Sequence, residues 1–134
     1  MYQVLAAIGT DEDRALDQAD AIAGLPRADE DVAVTLFHDF TENEAGASVH
    51  QVAAVRRAAE RLEDAGIDVQ YAESSGDAAA SILELADDRD VDLLCLAPRK
   101  RTPTGKALFG SVTQQVVLEA TRPVLVAGAG SESA

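Results

Sequence analysis

Five short apolar runs alternate with amphipathic stretches along most of the chain, and that alternation leaves few architectures open. The runs are Tyr2 to Ile8, Val32 to His38, Ile67 to Ala72, Val91 to Ala97 and Pro123 to Ala127, each about the length of a buried strand. Between the first two, Asp11 is placed to cap a helix that carries Ala15, Leu16, Ala19, Ile22 and Ala23 on one face, and Gly24 with Pro26 ends it. Ser48 similarly precedes Val49, Val52, Ala53, Ala59 and Leu62 at helical spacing, with Gly66 as a stop. A third helix is expected from Asp77 to Arg89, and a fourth from Ser111 until Arg122 and Pro123 close it. Near-continuous apolar strands such as Leu93 to Ala97 belong in a parallel sheet covered on both sides. The reading is therefore a single α/β domain, a five-stranded parallel sheet with helices on both faces.

Right-handed crossovers bring every strand-to-helix loop to one edge of such a sheet, where ligands bind at the point where strand order reverses. Gly9 to Asp13, His38 to Phe40, Glu73 to Asp77 and the segment Ala97 to Val112 are expected there. The last of these, APRKRTPTGKALFGSV, holds Arg99, Lys100, Arg101 and Lys106, including both lysines of the chain. It leads into a helix whose first N-H groups, near Gly110, Ser111 and Val112, form an anion-friendly end.

That basic island lies in a strongly acidic molecule. Twenty-four Asp and Glu against eleven Lys and Arg give a net charge of −13 over 134 residues, which opposes nucleic acid and anionic membranes. Arginine outnumbering lysine within so acidic a chain resembles the halophilic surface chemistry of a salt-rich cytoplasm. No run is long and apolar enough to span a bilayer, and the N-terminus lacks the pattern of a secretory signal, so a cytoplasmic location is expected. The single Cys95 lies among leucines and reads as a buried thiol. Residues 1–127 form the expected domain, and 128–134 read as a frayed tail.

VLAAIG, VTLFHDF, ESSGDAAASILELADDRDVDLLCLA and GSVTQQVVLEATRPVLVAG, in that order, resemble the universal stress protein family over nearly the full length. The resemblance implies a Rossmann-like sheet of strand order 3-2-1-4-5 and a homodimer formed through the last strand, Pro123 to Ala127. It also implies an ATP or other adenine-nucleotide site built on Gly110, Ser111 and Val112, with Arg99 and Lys100 beside them. In nucleotide-binding members that loop carries Gly, two residues, Gly, nine residues, then Gly and Ser or Thr. Here Ala97 and Lys100 replace the first two glycines, and Gly9 stands where those members often carry an Asp. Side chains at 97 and 100 crowd a phosphate cradle, whereas nearby cations supply charge-assisted contacts. Two readings follow: a stress-response module with a weakened nucleotide site, or a constitutive dimeric interaction module whose Gly110-Ser111 pair is a turn and helix cap.

No enzymatic activity is expected. Asp11, Glu12 and Asp13 suit the positive end of a helix better than a metal site, and neither a nucleophile elbow nor a Walker lysine is present. His38 reads as a structural or base-edge residue at the ligand edge, and His50 as a solvated helix position.

Overall fold

The computed structural model describes residues 1–40, 48–98, 100–101 and 107–128. Five strands form one parallel sheet: β1 (Tyr2–Ala7), β2 (Val32–Asp39), β3 (Asp68–Ser74), β4 (Leu93–Leu96) and a last strand, β7 (Val124–Val126). Their spatial order is β3-β2-β1-β4-β7, which is 3-2-1-4-5 when the five are counted along the chain. Connecting helices are α1 (Glu12–Ala23), α2 (Ala28–Asp31), α3 (Ala53–Asp64), α4 (Ala78–Asp88) and α5 (Ser111–Glu119). The tail beyond Gly128 and the polar loop from Thr41 to Ala47 lie outside the described residues.

Strand pleating divides the core into two layers. Val4, Ala6, Val34 and Leu36 pack with Ile22, Val55 and Leu62 of α1 and α3, while Leu5, Phe37, Leu94 and Leu96 meet Ile82, Ala86 and Val116 of α4 and α5. Successive residues on β1 thus serve opposite layers, as a period of two requires. Seven of the eight residues of β2 are buried, the near-continuous burial expected of a central parallel strand. Leu36 and Leu62 are fully buried, and truncating either to Ala would cost about 2–5 kcal/mol.

Local signals explain most boundaries. Asp11 accepts from the Arg14 N-H and Asp77 from the Ala80 N-H, each satisfying a donor at a helix start. Gly66 ends α3 with φ of +82°; its N-H reaches the Glu63 carbonyl and the Ile67 N-H reaches that of Leu62, the paired bonds of a Schellman ending that glycine permits without strain.

Three features depart from the sequence pattern. The helix expected from Ser48 is interrupted: Ser48 and Gln51 form a capping box around a 3₁₀ turn, Val49–Gln51, and α3 restarts after an extended Val52. A carboxylate oxygen of Glu73, on β3, accepts from the Val49 N-H at 2.9 Å and ties that turn to the sheet. The short α2 follows Arg27, whose φ is +57° and whose guanidinium pairs with Glu30 and Asp31. Finally, Lys100–Arg101 (β5) and Ala107–Leu108 (β6) pair as an antiparallel ladder inside the segment read as a loop.

Candidate functional site

The sheet opens where its order reverses. β1 pairs with β4 only as far as Ala6 and Cys95, but with β2 through Ala7 and Phe37, and the Ile8 N-H continues to the Phe37 carbonyl. Past Ala6, therefore, β1 follows β2 and leaves β4. Gln18 of α1, 1% exposed, fills the parting: its amide N-H groups donate to the Ala7 carbonyl at 2.9 Å and the Cys95 carbonyl at 3.2 Å. One side chain thus supplies donors to two carbonyls that the separated strands cannot satisfy for each other. Burial pushes the Cys95 thiol up to about 12, with a Gln18 hydrogen bond opposing, so the thiol stays neutral and unreactive near neutral pH.

Above the parting lies a cavity of about 390 Å³, within the range of small-molecule sites. Its walls combine Gly9, Asp11 and Arg14 after β1, His38 and Asp39 at the end of β2, and Val112 and Thr113 at the start of α5. Ala97 and Pro98 close the β4 side, and Ala78 and Ile82 of α4 contribute an apolar wall. His38 is fixed by an Nδ1-H bond to the Ile8 carbonyl at 2.7 Å, since a carbonyl can only accept, and by an edge-on contact with Phe40. Asp39 Oδ1 accepts from the Ser74 hydroxyl at 2.7 Å, while its Oδ2 is buried without a hydrogen-bond partner.

Gly110 is the N-cap of α5 and contributes no side-chain cap; Ser111 is the first helical residue. Within the Gly110-Ser111 pair the cap is thus the glycine, and the helix opens at Ser111 as expected. Thr113 Oγ1 donates to the Ala97 carbonyl at 3.2 Å, tying the helix start to the end of β4. Of the five residues expected to hold a nucleotide, Val112 lines the cavity, Gly110 and Ser111 immediately precede it, and Lys100 lies in the backbone of β5. Arg99 and Lys106 lie outside the described residues.

Neither Ala97 nor Lys100 adopts positive φ, so the backbone passes both positions without the conformation that glycine uniquely supports. His50 is exposed and packs against Tyr71, with ring centroids 4.3 Å apart. Asp39 falls within His38 to Phe40, one of the segments expected at this edge, whereas Gln18 and Arg14 lie beyond Gly9 to Asp13 and no local spacing in the sequence marks them. A polar residue on the apolar side of an amphipathic helix, as Gln18 is, was the one available signal.

The family model described as "Universal stress protein family" matches residues 1–128. The chain belongs to the universal stress protein family. A universal stress protein of Mycolicibacterium smegmatis is 38% identical over 78 residues, 58% of this chain and 55% of that protein; the chain spans little more than half the length of the curated relatives it matches. Among solved structures, the universal stress protein from Archaeoglobus fulgidus in complex with dAMP has TM-score 0.71 at 19% identity, covering 95% of this chain and 98% of its own. A family protein from Arabidopsis thaliana with AMP bound also reaches TM-score 0.71, at 14% identity, covering 96% and 91%. At those identities the likeness establishes the shared fold. In this universal stress protein, no helix among the described residues is long and apolar enough to cross a membrane.

Proposed function

We propose that this universal stress protein binds an adenine nucleotide in the cavity at the sheet parting and acts without turning it over, as a cytoplasmic stress-response module. The supporting observation is one continuous cavity running from His38 and Asp39 on β2 to Val112 and Thr113 on α5. One end has a carboxylate acceptor, and the other a helix start whose cap offers no side-chain acceptor. A phosphate suits the helix end, where N-H groups and the dipole favour negative charge; Arg14 adds a cation to the wall. The residues present therefore fit a nucleotide, with Ser111, Val112 and Thr113 toward phosphate and the β2 end toward the base. Structures of family members with dAMP and AMP support adenine as the base.

A homodimer through β7 belongs to the same proposal. All three residues of β7 are only partly buried, at the open edge of the sheet, an arrangement that invites pairing with another chain. A second reading, a constitutive dimeric module without ligand, draws on the β5–β6 ladder standing where a glycine cradle is expected.

Native mass spectrometry of the purified protein, followed by calorimetry with AMP and ATP at low and high salt, separates the two. Retained or titratable nucleotide on a dimer supports the first reading, and a dimer that binds neither nucleotide at either salt supports the second. Phosphate release with magnesium or manganese would overturn the absence of turnover. Ser111→Ala is expected to weaken binding by about fivefold to tenfold, through loss of one hydroxyl contact to phosphate.

A further inference from the structure

Gln18 fills the parting between β1 and β4, yet the fold uses only half of its amide. The amide nitrogen faces two backbone carbonyls, those of Ala7 and Cys95. Carbonyls only accept, so the nitrogen and oxygen of the amide cannot exchange places, and both N-H groups are consumed. Among the described residues nothing donates to the remaining atom, Oε1. Asp39 Oδ2 is the side-chain atom that those residues seal away without a partner; Gln18 Oε1, equally unpartnered, is not sealed. The residue is almost wholly buried and lines the cavity, so what stays open of it is an acceptor in the cavity floor. Gly9, in the same wall, adds no cover: even a Cβ there would meet nothing within 4 Å. An acceptor so enclosed is costly to leave unpaired, and the two bonds that clamp the amide hold Oε1 in place for a donor entering from above.

Position and chemistry together name that donor. The parting lies between the end of β2 on one side and, on the other, the start of α5, which Thr113 ties to the end of β4. Neighbouring strands are about 4.8 Å apart, so a nucleotide with its phosphate at the α5 start and its base toward β2 crosses the parting with its sugar. Phosphate oxygens and purine ring nitrogens only accept, and an amide oxygen repels them; the sugar hydroxyls donate. Resting on the nucleotide reading above, we propose that Gln18 is a specificity-determining residue whose Oε1 accepts a ribose hydroxyl, so that one amide both holds the strands apart and reads the sugar. Asp11, Arg14 and Gln18 follow one another at helical spacing along α1, and all three line the cavity. That helix, and not only the strand ends, thus recognises the ligand.

Calorimetry of the full chain with AMP, 2′-deoxy-AMP, 3′-deoxy-AMP and 2′,3′-dideoxy-AMP tests the assignment. Wild-type protein is expected to bind AMP about fivefold or more tightly than 2′,3′-dideoxy-AMP, because the dideoxy sugar leaves Oε1 unpaired, and one of the two singly deoxygenated nucleotides should account for most of that loss. Gln18→Met keeps the length of the side chain and removes the acceptor. In that variant AMP and 2′,3′-dideoxy-AMP are expected to bind within about twofold of each other, whatever the change in overall affinity. Damage to the floor alone would weaken both nucleotides together and leave their ratio as in the wild type, and an unchanged ratio overturns the inference. Equal wild-type affinities for AMP and 2′,3′-dideoxy-AMP overturn it while leaving nucleotide binding intact. Absence of binding by all four overturns the nucleotide reading itself, and the inference with it. The wild-type comparison needs no variant, so a failure of Gln18→Met to fold does not protect the proposal.

Discussion

Asp17 sits half-buried on α1, one turn from both Asp13 and Asp20. Burial raises its carboxyl above the ordinary value, and the negative charges of Asp20 and Asp13 raise it further, against the pull of Arg14. A carboxyl whose pKa is higher folded than unfolded favours the folded state when protonated. That contribution is fully present below the unfolded value near 3.8 and disappears as pH rises through the raised folded value. At neutral pH the ionised Asp17 therefore works against the fold. Asp17→Asn is expected to raise the thermal midpoint by about 1 °C at pH 7, a small effect because water screens a half-exposed charge. The gain should shrink to nothing as melts are repeated down through pH 4, and a gain that grows on acidification would contradict this account.

Among the elements, the connection from α4 into β4 depends on a residue that comes much later in the chain. Arg122, just before β7, donates from Nε to the Val91 carbonyl at 2.6 Å and pairs with Asp87 at 2.6 Å and Asp90 at 3.1 Å. It thereby gathers the end of α4, the turn where Asp90 takes a φ of +49° and the entry to the last strand. These hydrogen bonds to Asp87 and Asp90 raise the guanidinium pKa, so Arg122 remains charged at every accessible pH. Arg122→Ala is expected to lower the thermal midpoint by roughly 3–5 °C. Arg122→Lys should recover little, because an ammonium lacks the planar fork that reaches all three acceptors. Differential scanning calorimetry of both variants would measure this.

Elements of this kind also mark what the sequence made legible. Asp11 and Gly24 delimit α1, and the apolar run of β2 is buried almost throughout, because hydrophobic period and capping chemistry act locally. Ser48 was a true cap, but of a 3₁₀ turn: the choice between restarting and continuing the helix rests on Glu73, distant in sequence. Strands of two residues, such as β5 and β6, are too short for any period to register. At the site, the α5 start is readable from Gly110 and Ser111, and the meeting of Gly9 to Asp13 with His38 to Phe40 from the crossovers, whereas Gln18 and Arg14, further along α1, are marked by no local spacing.

For the molecule as a whole, the governing quantity is a net charge of −13. Arg57–Glu12 and Arg61–Asp20 join α3 to α1, but both pairs are about half exposed and stabilise little. Self-repulsion among the remaining acids opposes the compact state and is screened by added salt, the Debye length falling from about 10 Å at 0.1 M to 3 Å at 1 M. The thermal midpoint should therefore rise by several degrees between 0.1 and 1 M potassium chloride. A midpoint that stays flat or falls would assign greater weight to the ion pairs than to the repulsion.

The sheet parting beneath the cavity also limits what evolution or engineering can place at position 18. Leucine would suit the apolar surroundings yet abandon two carbonyls, and glutamate, nearly the same shape, would bring a third oxygen to a place that needs hydrogen donors. Gln18 couples a carbonyl eleven residues away to one seventy-seven residues away, so the beginning and the later part of the chain share a single irreplaceable amide. Redesign of this pocket for another ligand has the rim to work with, while the floor admits almost no variation.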